Sequence, residues 1–436
     1  MTLRSPDSSL GGMRPAQRRF LPAWLTFYLL GSLVVSFLAG SSAATPLYPV
    51  YQAAWGFTPM TTTVVFGVYA LAVLVALLTV GSLSDYIGRR PVLLVTLAIQ
   101  MVVMVLFATA QGVDSLVIAR VIQGVSTGAA VGAIGAGLLD VDRMRGTTAN
   151  AVGPMSGTAA GAIVSGLVVQ YLPAPTHLIY LILLGVFVVQ FIGVVLMAET
   201  ATPKAGALQS IRLRFDLPVA ARRPMLLVVP VLIAAWSLAG FYGALAPALI
   251  RLISGSHSLL LGGLGLFILA SGGGVTVLAL RTLAARTLMV LGILGLILGV
   301  GVVVISIQVA SIAVFFLGTV VAGAGFGAGF QGGIRLVLPL AALHERAGVL
   351  SVIYVVSYLA MGMPAVVAGF VVVHGGGVLA TASGYGLLVM GLAGMALVGL
   401  GLTGSLAPPS RAAGAATAIA QVCSRASGRT LAEIPK

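Results

Sequence analysis

Apolar residues along this chain come in long unbroken runs, not in alternation and not in amphipathic stripes. Runs of about 20 apolar residues are long enough to cross a bilayer as helices. Twelve can be drawn, at 22–44, 61–82, 91–110, 115–138, 148–170, 176–197, 224–249, 259–280, 287–307, 311–334, 347–373 and 378–405. Between them lie short polar links. The longest polar interruption, 199–223, divides the spans into six and six. The expected organisation is a tail at 1–21, a six-helix bundle at 22–198, a linker at 199–223, a second bundle at 224–405 and a tail at 406–436. Within the linker, Ser210 to Phe215 mixes apolar and basic residues. It suits a short interfacial helix or a flexible connector equally well.

Charge settles the orientation that hydropathy leaves open. The chain has 23 basic and nine acidic residues, a net charge of +14. All basic residues except Arg120 and Arg251 fall in the tails or at the even-numbered links. One face is therefore strongly basic, and the positive-inside rule makes it cytoplasmic. A basic excess spread over many short links reads as membrane topology, not as a nucleic-acid surface. With 59% hydrophobic and 7% charged residues, the solvent for most of the chain is lipid. The expected location is the cell (inner) membrane, with both termini cytoplasmic. The polar start, with Arg4, Arg14, Arg18 and Arg19, reads as a tail before an uncleaved first helix. The run from Pro22 is longer than that of a cleavable leader.

Few side chains could carry enzymatic chemistry. The single cysteine, Cys423, permits no internal disulfide. His177, His257, His344 and His374 fall in separate links, so no metal set forms. No G-x-x-x-x-G-K-[ST] stretch is present, which leaves direct ATP drive unsupported. No nucleophile-and-base cluster stands out, and no cofactor is expected.

The link after the second span reads Gly81-Ser82-Leu83-Ser84-Asp85-Tyr86-Ile87-Gly88-Arg89-Arg90. It resembles the signature loop of the major facilitator superfamily, G-x-L-x-D-x-x-G-R-R, with every fixed position filled. In that family the loop is a conformational latch. The resemblance implies that role for Gly81, Asp85, Gly88, Arg89 and Arg90. Ala119 to Gly124 resembles the family's helix 4 motif R-x-x-Q-G, which implies a coupling role for Arg120 with Gln123 and Gly124. An arginine inside a span costs at least about 2.5–3.5 kcal/mol and normally faces protein, water or, by snorkelling, the interface. Gly153, Pro154 and Gly157 resemble in part the antiporter motif of helix 5. The same residues serve equally well as a packing kink.

The resemblance implies an all-α fold of two pseudo-symmetric bundles and a central cavity lined by helices 1, 4, 7 and 10. Polar and aromatic candidates there are Tyr28, Ser36, Gln123, Trp236, Tyr242 and Gln331, with Tyr354 and Tyr358 on helix 11. Internal echoes support the repeat. Ser165-Gly166 parallels Ala368-Gly369, and Gly124, Gly128 and Gly132 parallel Gly325, Gly329 and Gly333. No acid lies in the middle of any span. The expected function is alternating-access transport of a small molecule, most like drug–proton efflux. Uptake of a nutrient or metabolite is the alternative of the same fold, and a non-transporting membrane sensor is the alternative of another class. A single chain is the expected working unit, with a small-molecule substrate, protons and the lipid bilayer as its partners. The topology is directly testable at Cys423. A membrane-impermeant thiol reagent is expected to leave it unlabelled in intact cells and to label it after permeabilisation, and labelling of intact cells would reverse the assigned orientation.

Overall fold

The computed structural model describes residues 20–207, 217–256, 258–342 and 345–404. The N-terminal tail before residue 20, Ser210 to Phe215, His257, His344 and the tail carrying Cys423 lie outside the described residues. The first half of the chain forms α1 (Ala23–Ser42), α2 (Tyr48–Trp55), α3 (Pro59–Val80), α4 (Ser84–Ile87), α5 (Arg89–Ala108), α6 (Val113–Val141), α7 (Arg143–Tyr171) and α8 (Pro175–Leu196). The second half forms α9 (Val219–Ala244), α10 (Ala246–Ser254), α11 (Leu259–Ala279), α12 (Ala285–Gln308), α13 (Ile312–Val337), α14 (Arg346–Val371) and α15 (Gly377–Gly404). Twelve of these span the membrane. The short helices are α2, α4 and α10. Helix α14 turns back into α15 through a π-type turn at Val372–Gly376, where Gly375 takes φ 126° and Gly377 φ 60°.

Several expected boundaries move. The run at 224–249 is two helices. Helix α9 begins earlier, at Val219, because its polar first turn with Arg222 and Arg223 precedes the apolar run. It stops at Ala244, and α10 starts afresh behind Leu245. Helices α2 and α10 were not foreseen. Each follows the first helix of its half, opens with a proline in its first turn (Pro49, Pro247) and ends on a left-handed glycine, Gly56 or Gly255. A proline that starts a helix and a glycine that stops it are local signals a reader could have used.

Each bundle buries its own apolar core. Close backbone approach is general. Gly124, Gly128 and Gly132 of α6 lie against α3, where any side chain would meet Tyr69 O, Val73 O and Gly81 O within 2.8 Å. In the second half, Gly292, Gly295 and Gly299 of α12 press directly on α13.

The two bundles meet through α3 against α14 and α7 against α11. The sequence echo falls on equivalent contacts. Gly166 faces Leu260 at the start of α11, and Gly369 faces Thr63 at the start of α3. Hydrogen bonds join the bundles at the face opposite the basic one. Thr45 Oγ1 donates to Gly243 O at 3.1 Å, and Gln170 Oε1 accepts from Leu259 N at 2.9 Å and Ser258 Oγ at 3.2 Å. Contacts then continue inward through Gly67–Val366 and Ala70–Gly362 on one side, and through Ala162–Gly263 and Met155–Gly273 on the other.

Candidate functional site

Three clusters gather the side chains singled out in the sequence. The first lies on the basic face. Arg89 opens α5 with its side chain buried beneath the loop. Its Nη1 donates to Asp85 Oδ1 and to Ser84 Oγ (2.8 Å), and its Nε donates to Asp140 Oδ2 at 3.2 Å. Arg90 turns the other way, and its guanidinium donates to Val194 O and Val195 O at the end of α8. No residue beside α5 caps its N-terminus. Glu199 does so from the linker: Oε1 accepts Arg89 N at 2.8 Å, and Oε2 accepts Arg90 N at 3.0 Å. The same Oε1 also accepts from Thr200 N and Ala201 N, both at 3.0 Å. A carboxylate at a helix N-terminus satisfies orphan donors and opposes the positive end of the dipole.

Gly88 makes this possible. Its φ is 102°, and a Cβ there would stand 2.5 Å from Glu199 Oε2. The linker is further pinned by Lys204 N donating to Tyr86 O at 2.8 Å. Asp85, Tyr86, Arg89, Asp140, Thr200, Ala201, Thr202 and Lys204 line a polar cavity of about 460 Å³. The sequence reading placed Asp85, Gly88, Arg89 and Arg90 here but missed Asp140 and Glu199 as partners. The signal was available: both are acids at span ends on the same face as the loop. Gly81 lies at the close crossing of α3 and α6.

The second cluster surrounds Arg120, which is 1% exposed and does not reach the interface. Its Nη1 donates to Ser41 O (2.9 Å) and Gln123 Oε1 (2.8 Å), and its Nη2 to Tyr48 Oη (2.8 Å). Gln123 Nε2 donates in turn to Gly40 O at 3.1 Å. Both carbonyls belong to the last turn of α1, so the guanidinium sits on the negative end of that helix. Three ring faces complete the enclosure: Tyr69, Phe107 and Tyr48 lie 5.2, 5.6 and 5.9 Å from Cζ. Helix dipole, carbonyls and π faces together offset the cost of a membrane-buried cation without a carboxylate. In α2, burial pushes the phenol of Tyr51 up to about 12. It stays neutral and donates to Tyr180 Oη at 3.3 Å.

The third cluster lies at mid-depth in the second bundle. Trp236 of α9 meets Phe330 at 5.3 Å, Tyr358 at 5.5 Å and Phe326 at 6.1 Å between ring centroids. A side chain on Gly273 would lie 3.2 Å from both Phe326 Cδ1 and Met155 Sδ of the first bundle. The cluster therefore adjoins the boundary between the bundles. Tyr354, one turn from Tyr358 on α14, and Gln331, directly after Phe330 on α13, are half-buried.

Three expected cavity residues are elsewhere. Tyr28 is 63% exposed and edge-on to Trp24 and Phe27, on the outer surface of α1. An aromatic near a helix end in lipid belongs to the interfacial belt. Ser36 Oγ donates to Gln190 Oε1 at 2.8 Å and ties α1 to α8 inside the first bundle. Tyr242 is fully buried and shares a 2.7 Å hydrogen bond with Thr319 of α13. Helix identity alone does not reveal which side of a helix faces the other bundle. In α7, Gly153 and Gly157 face Val34 and Val35 of α1, where a Cβ on Gly157 would stand 2.6 Å from Val35 O. Pro154 is carried within the continuous helix. Local packing accounts for this motif.

Residues 29–365 match the Major Facilitator Superfamily, and the chain belongs to that family. It is an integral membrane protein. Over 117 residues it is 32% identical to a protein described as an uncharacterized transporter from Rickettsia felis (strain ATCC VR-1525 / URRWXCal2). That match covers 26% of this chain and 27% of the relative, so the chain is matched to only about a quarter of that protein's length. Among solved structures, it resembles a mutant of the nucleoside transporter NupG with a TM-score of 0.66 and 12% identity. The likeness spans 89% of this chain and all of that one, and at this identity it speaks for the fold.

Two substitutions probe the polar clusters. Arg120→Lys is expected to reduce flux sharply, because one ammonium cannot reproduce the planar fork that holds Ser41 O, Gln123 and Tyr48 together. Arg120→Ala is expected to be no better, and the check is gradient-driven flux corrected for protein in the membrane. Asp85→Asn keeps the shape and removes the charge opposite Arg89. It is expected to leave membrane levels near normal while transport is largely lost, as measured in reconstituted vesicles.

Proposed function

We propose that this chain is a secondary transporter of the inner membrane that exports a neutral, amphipathic small molecule by alternating access, in exchange for protons. The basic face is the cytoplasmic one in this reading, and Asp85 with Arg89 forms the latch that engages and releases as the bundles rock. The observation that carries the proposal is the depth of the bundle-to-bundle contacts. They begin at the face opposite the basic one and reach inward to the level of the aromatic cluster. Such an arrangement fits a conformer shut on the outside, with the path leading from mid-depth to the cytoplasmic face.

The chemistry of the centre supports the substrate class. The described acids Asp85, Asp114, Asp140, Asp142, Glu199 and Glu345 stand at helix ends or in links. A charged substrate would find no opposite charge at mid-depth. Protons, on this reading, are exchanged at the carboxylates of the two faces. The second reading, uptake of a metabolite, is favoured by the shared fold with a protein described as a nucleoside transporter.

Flux into and out of proteoliposomes under an imposed pH gradient separates the two readings. Export is expected to be driven by a gradient that carries protons the opposite way. Proton-driven accumulation in the sense of uptake would replace it with the second reading. Saturable binding without any flux would make the protein a sensor. The closed outer contact has its own test. In a Cys423→Ser background, Thr63→Cys with Gly369→Cys places two thiols at the α3–α14 contact. A Cβ on Gly369 would lie 3.0 Å from Thr63 Cβ, slightly inside the roughly 3.5–4.5 Å of a disulfide. Oxidation is expected to stop flux and reductant to restore it. Full flux through the cross-linked protein would show that this contact does not open during the cycle.

A further inference from the structure

We infer that Trp236 is the specificity-determining donor of the translocation site, and that the substrate joins an apolar ring to a hydrogen-bond acceptor such as a ring nitrogen or a carbonyl. This rests on the transport reading only for the claim that the site lies on a path across the membrane.

The indole Nε1 of Trp236 is enclosed and has no hydrogen-bond partner among the described residues. A buried indole N–H normally finds an acceptor, and leaving it unpaired is unfavourable. The neighbours of Trp236 obey that rule. Ser237 Oγ donates to Ala360 O at 3.1 Å, Tyr385 Oη donates to Ser237 O at 2.8 Å, and Tyr242 pairs with Thr319. Ser357 Oγ, beside Tyr358, is also unpaired, but a serine hydroxyl can rotate onto a carbonyl of its own helix. The indole has no such escape. Its donor is fixed in direction by a ring held against three others.

Those rings define the rest of the ligand. Phe326 and Phe330 lie one turn apart on α13 with planes within 9° of each other, and the indole stands edge-on to both, at 67° and 76°. Tyr358 closes a further side. Walls of this kind reward a flat apolar body. A quaternary cation would suit the ring faces, but it offers nothing to the indole N–H and would be buried without a counter-charge. A neutral ring that carries an acceptor satisfies both the walls and the donor.

The chain has three tryptophans, Trp24, Trp55 and Trp236. Trp24→Phe with Trp55→Phe leaves Trp236 as the sole indole reporter in the full-length protein. The probes are quinoline, its isosteric hydrocarbon naphthalene and the cation tetraphenylphosphonium. Quinoline is expected to shift and quench Trp236 emission at a concentration at least about tenfold below that of naphthalene. Equilibrium dialysis with radiolabelled probes then compares wild type with Trp236→Phe, which keeps an aromatic wall and removes the donor. The preference for quinoline is expected to disappear in that variant while naphthalene binds as before. Equal binding of quinoline and naphthalene to wild type, a preference for the cation, no saturable binding of any probe, or a quinoline preference that survives in Trp236→Phe would each overturn the inference. Vesicle flux keeps the two claims apart. Acceptor-dependent binding without flux leaves the inference standing and removes the transport reading, and flux without acceptor dependence does the reverse.

Discussion

Inside a bilayer, helices gain nothing by hiding apolar surface from one another, because lipid is as apolar as a leucine side chain. Association must come from dispersion at close range, and close range requires small residues. That constraint shapes this molecule more than any single polar contact. Gly124, Gly128 and Gly132 let α3 lie on α6, while Gly153 and Gly157 let α7 lie on α1. Gly292, Gly295 and Gly299 bring α12 against α13 almost backbone to backbone. Glycines at such contacts, which would weaken helices in water, let these helices pack in lipid.

Polar groups follow a second constraint: each must find its partner inside the protein. Arg120 does so by resting on the carbonyl end of α1. Glu199 does so by reaching from the linker to the amide end of α5, and Gly88 clears its way. These two contacts bind a loop, a helix end and a linker into one body. The first bundle can then move as a unit.

The architecture was legible in the sequence because hydropathy and arginine placement are both lengthwise signals. Run length predicted twelve helices, and the loop at Gly81–Arg90 pointed to the family. Lengthwise signals carry no angular information. Tyr28, Ser36 and Tyr242 were assigned to the cavity from the helix they occupy; Tyr28 lies on the exposed side of α1, and Ser36 and Tyr242 turn to α8 and α13. Trp236 and Tyr358 were assigned by the same reasoning and do adjoin the boundary between the bundles. Glu199 and Asp140 were seen as acids at span ends, but a cap formed across 110 residues leaves no local trace. The breaks that free α2 and α10 were written in Pro49, Gly56, Pro247 and Gly255, short-range signals masked by apolar surroundings.

The paired contacts Gly166–Leu260 and Gly369–Thr63 occupy equivalent places in the two repeats. Each joins the end of one bundle's fifth helix to the start of the other bundle's second. The far face is thus fastened by two matched clasps on opposite sides of the centre, and neither can part while the other holds without tilting both bundles. Twin clasps of this kind favour an all-or-none transition over gradual loosening, since packed interfaces are bistable, not elastic. Half-open states, through which ions could leak, would then be brief. An ancient duplication would in this way have supplied, besides the fold, the sharpness of its switch.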